Sequence, residues 1–214
     1  IDGEAAGDWS GHSVSLSSDG NTVAIGAIYN DNDGGGGQAG HVRIYAWDGD
    51  SWNQIGEDID GEAQIDHSGY SVSLSSDGST VAIGANFNDG NGSQAGHVRA
   101  YSWGGISWNQ LGEDIDGEAN DWQGHSVSLS SDGKTLAIGA IRAPINDGND
   151  IDAGHVGVYA WNGNSWTKLG EDIDGAAAGD SFGWSVSLSS DGTIVAIGAR
   201  LNDGVNGAAS GHVR

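Results

Sequence analysis

Along the chain, small polar residues alternate with branched apolar ones in short bursts, and no stretch carries a helical apolar period. Ser13-Val14-Ser15-Leu16-Ser17 has a period of two, which predicts a strand with one buried face and one small polar face. Asp19-Gly20 follows as a tight turn, because glycine accepts a positive φ. Thr22 to Ala27 is predicted as a second strand, with Val23 and Ile25 on one face. Ala24 and Gly26 keep the other face thin, so that a neighbouring sheet can approach closely. His41 to Trp47 is predicted as a third strand, Asp48-Gly49-Asp50 as a turn, and Ser51 to Ile55 as a short fourth strand.

The same pattern recurs along the whole chain. Ile-Asp-Gly begins at Ile1, Ile59, Ile115 and Ile173, spaced by 58, 56 and 58 residues. The units are 1–58, 59–114, 115–172 and 173–214. Each continues with an Asp-bearing loop, Ser-Val-Ser-Leu-Ser-Ser-Asp-Gly, Ala-Ile-Gly-Ala and Gly-His-Val. Four antiparallel strands per unit of about 57 residues predict an all-β β-propeller built of blades. A β-solenoid is the rival fold, but its coils are shorter and need no hairpin at each corner. A single unit cannot bury both faces, so each must stack on its neighbours. The fourth unit stops at Gly211-His212-Val213-Arg214, so the last blade is expected to lack its outer strand. Such an open edge invites a strand from another chain, which predicts a homo-oligomer or a part of a longer chain. The chain carries no Met, even at position 1, which also fits a processed or excised segment.

Composition narrows the function. Thirty acids against seven Lys and Arg give a formal net charge of −23. That surface repels nucleic acid and anionic lipid and suits cations or cationic partners. The absence of Cys removes disulfide and thiol chemistry. No apolar run approaches the roughly 20 residues of a membrane span, so membrane insertion is not expected. With 39 Gly but a single Pro and no three-residue period, collagen is excluded.

Asp180-Ser181-Phe182-Gly183-Trp184-Ser185-Val186, then Val195-Ala196-Ile197-Gly198-Ala199 and Gly211-His212-Val213, resemble the FG-GAP repeat of integrin-type β-propellers. In the other units Ser10-Gly11, Ser68-Gly69 and Gln123-Gly124 stand where Phe-Gly would be. The resemblance implies an extracellular or cell-surface adhesion or binding module for glycans or cell-surface proteins, often with calcium. One departure matters. Integrin-type blades place an Asp-x-Asp-x-Asp-Gly calcium loop between their first two strands. Here Ser17 to Gly20, Ser75 to Gly78, Ser130 to Gly133 and Ser189 to Gly192 hold one carboxylate each. Calcium takes about six to eight oxygens, so that site does not carry over.

A second oxygen-rich loop lies between the second and third strands. Its candidate calcium ligands are Asn30, Asp31, Asp33, Asn88, Asp89, Asn146, Asp147, Asp150, Asn202 and Asp203. The same residue types form Asx turns without any metal. Glu57, Asp58, Asp60 and Glu62 form a recurring acidic linker, expected to accept backbone hydrogen bonds. His41, His97, His155 and His212 occupy one strand position a blade apart, which predicts a structural role rather than a zinc site. The pairs Trp47 and Trp52, Trp103 and Trp108, and Trp161 and Trp166 flank one hairpin in each unit. They are expected to stack across strands; if exposed, they would offer platforms for sugar rings or for another subunit. His12, Tyr70, His125 and Trp184, just before Ser-Val, are candidate ligand contacts on strand-connecting loops. There is no His-Glu-x-x-His, and acids repeated in every unit argue against one active site. The expectation is a non-enzymatic binding or adhesion module. The alternative is a structural protein in which copies join through the open edge.

Overall fold

A computed structural model describes residues 1–31, 37–144 and 152–214. The chain is all-β and forms four successive antiparallel sheets. The first contains β1 (Ser10–Leu16), β2 (Thr22–Ala27), β3 (His41–Trp47), β4 (Trp52–Gln54) and β5 (Ile59–Asp60). The second repeats it with β6 (Ser71–Leu74), β7 (Thr80–Ala85), β8 (His97–Trp103), β9 (Trp108–Gln110) and β10 (Ile115–Asp116). The third has β11 (Gln123–Leu129), β12 (Thr135–Ala140), β13 (His155–Trp161), β14 (Trp166–Lys168) and β15 (Ile173–Asp174). The fourth has β16 (Phe182–Leu188), β17 (Val195–Ala199) and β18 (His212–Val213).

The sequence predicts four strands per unit, whereas the first three sheets have five. The extra strand is the Ile-Asp that opens the next unit. Ile59 pairs with Val42 and Asp60 with His41, while β4 pairs with the other end of β3, from Tyr45 to Trp47. The outer edge is therefore one strand broken in two near Gly56, whose φ of 78° bends the chain out of the ladder. The fourth sheet has three strands, β16, β17 and β18.

Successive sheets pack face to face, as the thin Ala-x-Gly face predicts. Three apolar clusters fill the contacts between neighbouring sheets. One joins Ala24, Val42 and Ile44 to Leu74, Val81 and Ile83; the next joins Ala82 and Val98 to Leu129 and Leu136. The third packs Ala137 and Val156 against Phe182 and Ile197. Polar bonds fix the stacking register. Ser13, Ser71 and Ser126 hydroxyls donate to the carbonyls of Gly69, Gly124 and Gly183 in the following sheet. Ser15, Ser73 and Ser128 accept from the amides of Leu74, Leu129 and Leu188.

The two end faces are open. Leu16 is 57% exposed, while its equivalents Leu74 and Leu129 are 7% and 8% exposed. At the other end Val213 is 71% exposed, while Val42, Val98 and Val156 are fully buried.

Candidate binding surfaces

Among the described residues, the Asn-Asp loop side chains hydrogen-bond within the fold. Asn30, Asn88 and Asn202 donate to Asp8, Asp66 and Asp180 of the loop before the first strand, at 3.2, 2.9 and 2.8 Å. Those carboxylates also accept the amides of Ala5, Ala63 and Ala177. Asp31 accepts the amides of Gly37 and Gln38, Asp89 that of Gln94, and Asp203 that of Ala209. Asp33, Asn146, Asp147 and Asp150 lie outside the described residues. Burial holds the carboxyls of Asp66 and Asp121 above their ordinary value, against the bonds that favour the anion. Replacing Asp66 with Ala is expected to cost about 2 kcal/mol, because Asn88 and the Ala63 amide lose a charged acceptor in a buried site. Urea titration of the variant measures it.

The tight-turn aspartates are satisfied locally. Ser17, Ser75, Ser130 and Ser189 hydroxyls donate to Asp19, Asp77, Asp132 and Asp191. Hydroxyl and amide donors from Ser189 and Thr193 hold Asp191 down to about 2.

The positions before Ser-Val converge. His12, Tyr70, His125 and Trp184 form one ladder of rings, with centroids 5.0, 4.9 and 4.5 Å apart. Arg200 caps it, its guanidinium 3.3 Å from the Trp184 ring centre. A second ladder runs beside it through Trp9, Tyr29, His67, Phe87 and Trp122. Trp9, His67, Trp122 and Ser181 repeat a left-handed backbone turn, with φ between 52° and 57°.

The hairpin tryptophans pair across strands, with centroids 5.3 to 5.5 Å apart. The second Trp also staples neighbouring sheets, for Trp108 and Trp166 donate to the carbonyls of Ile55 and Leu111. Trp47 is the exposed member, at 39%. Beside these rings run recurring acidic grooves. One is lined by Glu57, Asp58, Asp60, Tyr101, Ile106 and Trp108. Its equivalent is lined by Glu113, Asp114, Asp116, Tyr159, Asn164 and Trp166.

The histidines are not isolated. Because β5 returns along β3, the acidic linker folds back over the histidine. His41 Nδ1 lies 3.3 Å from Asp58 Oδ2 and 3.8 Å from Glu4 Oε2. His97 Nδ1 lies 3.5 Å from Asp114 and 3.9 Å from Glu62. Arg43 and Arg99 face the other oxygen of each glutamate at 3.6 and 3.4 Å. Burial, then Arg99, pulls His97 down to about 4 against the opposing pull of Asp114, so it is neutral at physiological pH. His155 turns the other way, its Nε2 3.9 Å from Asp172, and His212 is exposed. Sequence reasoning held the histidine and the linker acids apart. The signal available was their constant offset within each unit.

Among known proteins, the sequence pattern of the FG-GAP repeat matches residues 173–213. No curated protein matches the sequence. Two of the solved structures that share the fold are the following. A putative 6-phosphogluconolactonase from Bacteroides uniformis ATCC 8492 aligns over 88% of this chain and 47% of its own, with TM-score 0.57 and 15% identity. Hydrazine synthase of Kuenenia stuttgartiensis aligns over 92% of this chain and 43% of its own, with TM-score 0.53 and 13% identity. The chain thus spans less than half of either protein.

Proposed function

We propose that the four sheets are consecutive blades of a β-propeller and that the chain is a non-enzymatic binding module at the cell surface or outside the cell. Its ligand in this reading is a glycan. The observation that carries the reading is the groove repeated between neighbouring sheets, with Tyr101 and Trp108 beside Asp58 and Asp60, and Tyr159 and Trp166 beside Asp114 and Asp116. Aromatic rings offer apolar contact to a sugar, and carboxylates accept from its hydroxyls. Like grooves side by side make weak single contacts multivalent. Catalysis has no part in this reading. The test is retention of immobilised oligosaccharides, with calcium and then with chelator. Binding that falls at least about tenfold in Asp60→Asn with Asp116→Asn supports it, a loss of about 1.4 kcal/mol. No retained glycan, or binding indifferent to both changes, overturns it.

A second reading, joining of copies through the end faces, has its own observation. Gly26, Gly84 and Gly139 each face a carbonyl of the next sheet, whereas Gly198 at the same position faces only its own Ser185. The first strand of a second copy offers the carbonyl and the Val14 and Leu16 side chains that this face accepts internally. Light scattering separates the readings. A particle of 21.7 kDa supports the first, and a multiple of it supports the second.

A further inference from the structure

Two histidines in this protein are about 99% buried, yet each aims Nδ1 at two carboxylates that reach the surface. Neither contact is a good hydrogen bond. The separations run from 3.3 to 3.9 Å, against about 2.7–2.9 Å for a charge-assisted N–H···O bond. They are instead close to the spacing between ligands on a shared ion. Bonds of about 2.0–2.2 Å in a tetrahedral zinc site set neighbouring ligand atoms about 3.4 Å apart. In each cluster the three ligand atoms lie within 4.8 Å of one another.

The surroundings hold the carboxylates in that pose. Arg43 faces Glu4 Oε1 and is itself fixed by donating to the Asp2 carbonyl at 2.7 Å. Arg99 faces Glu62 Oε1 and donates to the Asp60 carbonyl at 2.6 Å. Gln54 donates to Asp58 Oδ1 at 2.5 Å, and Gln110 to Asp114 Oδ1 at 2.6 Å. One oxygen of each carboxylate is thereby pinned, and the other is turned to the imidazole. Partners of this kind orient ligands in metal sites.

We propose that Glu4, His41 and Asp58 form one binding site for a divalent transition-metal ion, best suited to zinc, and that Glu62, His97 and Asp114 form a second. One imidazole nitrogen and two carboxylate oxygens neutralise the ion's two charges, and solvent at the surface completes its coordination. The nitrogen donor selects against calcium and magnesium, which take oxygen.

The third and fourth units explain why the number is two. In the third, Gly157 replaces the arginine and Lys168 replaces the glutamine. Lys168 Nζ sits 2.5 Å from Asp172 Oδ1, and His155 offers Nε2 instead of Nδ1. In the fourth, Ala176 stands where the glutamate would be.

The experiment is equilibrium dialysis of the metal-stripped chain against zinc chloride with excess calcium and magnesium, which saturate the acidic surface. Two zinc ions per chain are expected. Glu4→Gln and Glu62→Gln should each leave one tight ion, and the double variant should bind at least about tenfold more weakly. Both glutamates are about half exposed, so these changes spare the fold, which circular dichroism checks. His41→Gln and His97→Gln should give the same pattern. Cobalt should give the visible absorption of a low-coordinate nitrogen- and oxygen-ligated ion, lost in the double variant. Failure to saturate at two ions, or zinc retained unchanged in the double variants, overturns the proposal.

Discussion

Replacing Gly84 with alanine is expected to cost about 3–5 kcal/mol, enough to bring a chain of ordinary stability to the edge of unfolding. A Cβ there would lie far inside 3.0 Å of the Gly124 carbonyl oxygen in the next sheet, a separation that real Cβ atoms do not show. It would also strike Ser71 Oγ, which donates to the same carbonyl at 2.8 Å. A backbone carbonyl cannot swing aside as a long side chain can. The two sheets must part instead, and the cluster of Ala82, Val98, Leu129 and Leu136 loosens with them. Gly26 and Gly139 face Gly69 and Gly183 in the same way. Gly198→Ala is the internal control. Its Cβ meets only the Ser185 hydroxyl, which can rotate, so a loss below about 1 kcal/mol is expected. Urea midpoints of the two variants carry the comparison. Equal losses would mean that something covers Gly198 in solution, or that the sheets do not stack through these glycines.

This glycine was legible in the sequence as an effect and not as a contact. Ala24 and Gly26 announce a face thinned for close approach, and the second and third strands run over the residues that alternation predicts, Thr22–Ala27 and His41–Trp47. Alternation cannot say which carbonyl arrives. That depends on a register between sheets set by bonds such as Ser13 to Gly69, 56 residues apart. The fifth strand escaped for another reason. Two residues, Ile59 and Asp60, carry no periodicity, and their pairing with β3 is visible only once the chain has turned at Gly56.

The same missing turn hid the histidine clusters. Asp60 pairs with His41 in the ladder and draws the linker over the imidazole. Without that pairing, histidines a unit apart and acids in a linker are separate features. The ring ladder was half legible. The sequence marks His12, Tyr70, His125 and Trp184 as equivalent, but only stacking of the units puts each ring within 5.0 Å of the next. For the Asn-Asp loops the sequence offered two chemistries. Spacing alone does not show that Asn88 reaches Asp66, because the fold brings residues 22 apart together.

Acid should weaken this fold well before its carboxylates titrate in the unfolded chain, and His125 should be a main cause. Its imidazole is nearly buried between Tyr70 and Trp184. Burial first, then Arg200 and His12, pulls it from an ordinary 6.5 to about 4. A folded value below the unfolded one means that the unfolded chain binds the proton first. The stability is therefore fully present above pH 6.5 and is lost as pH falls toward 4. By pH 5 this one group removes about 2 kcal/mol, by linkage. Burial lowers His12 and His67 as well, so their contributions share the sign. Glu62, Asp66, Asp116 and Asp121 are held high mainly by burial and act in the opposite sense, stabilising the fold at low pH. That gain begins as pH falls through their raised folded values and is complete below their unfolded values near 4. His125→Phe keeps a ring in the ladder and removes the titration. It also removes a buried Nδ1 that has no hydrogen-bond partner, so it should gain about 1 kcal/mol at pH 7. Urea midpoints at pH 7 and pH 5, taken with chelator present, should show a drop about 2 kcal/mol smaller in the variant than in the parent chain. An equal drop in both would place the acid sensitivity elsewhere, with the other buried histidines as the next substitutions to make.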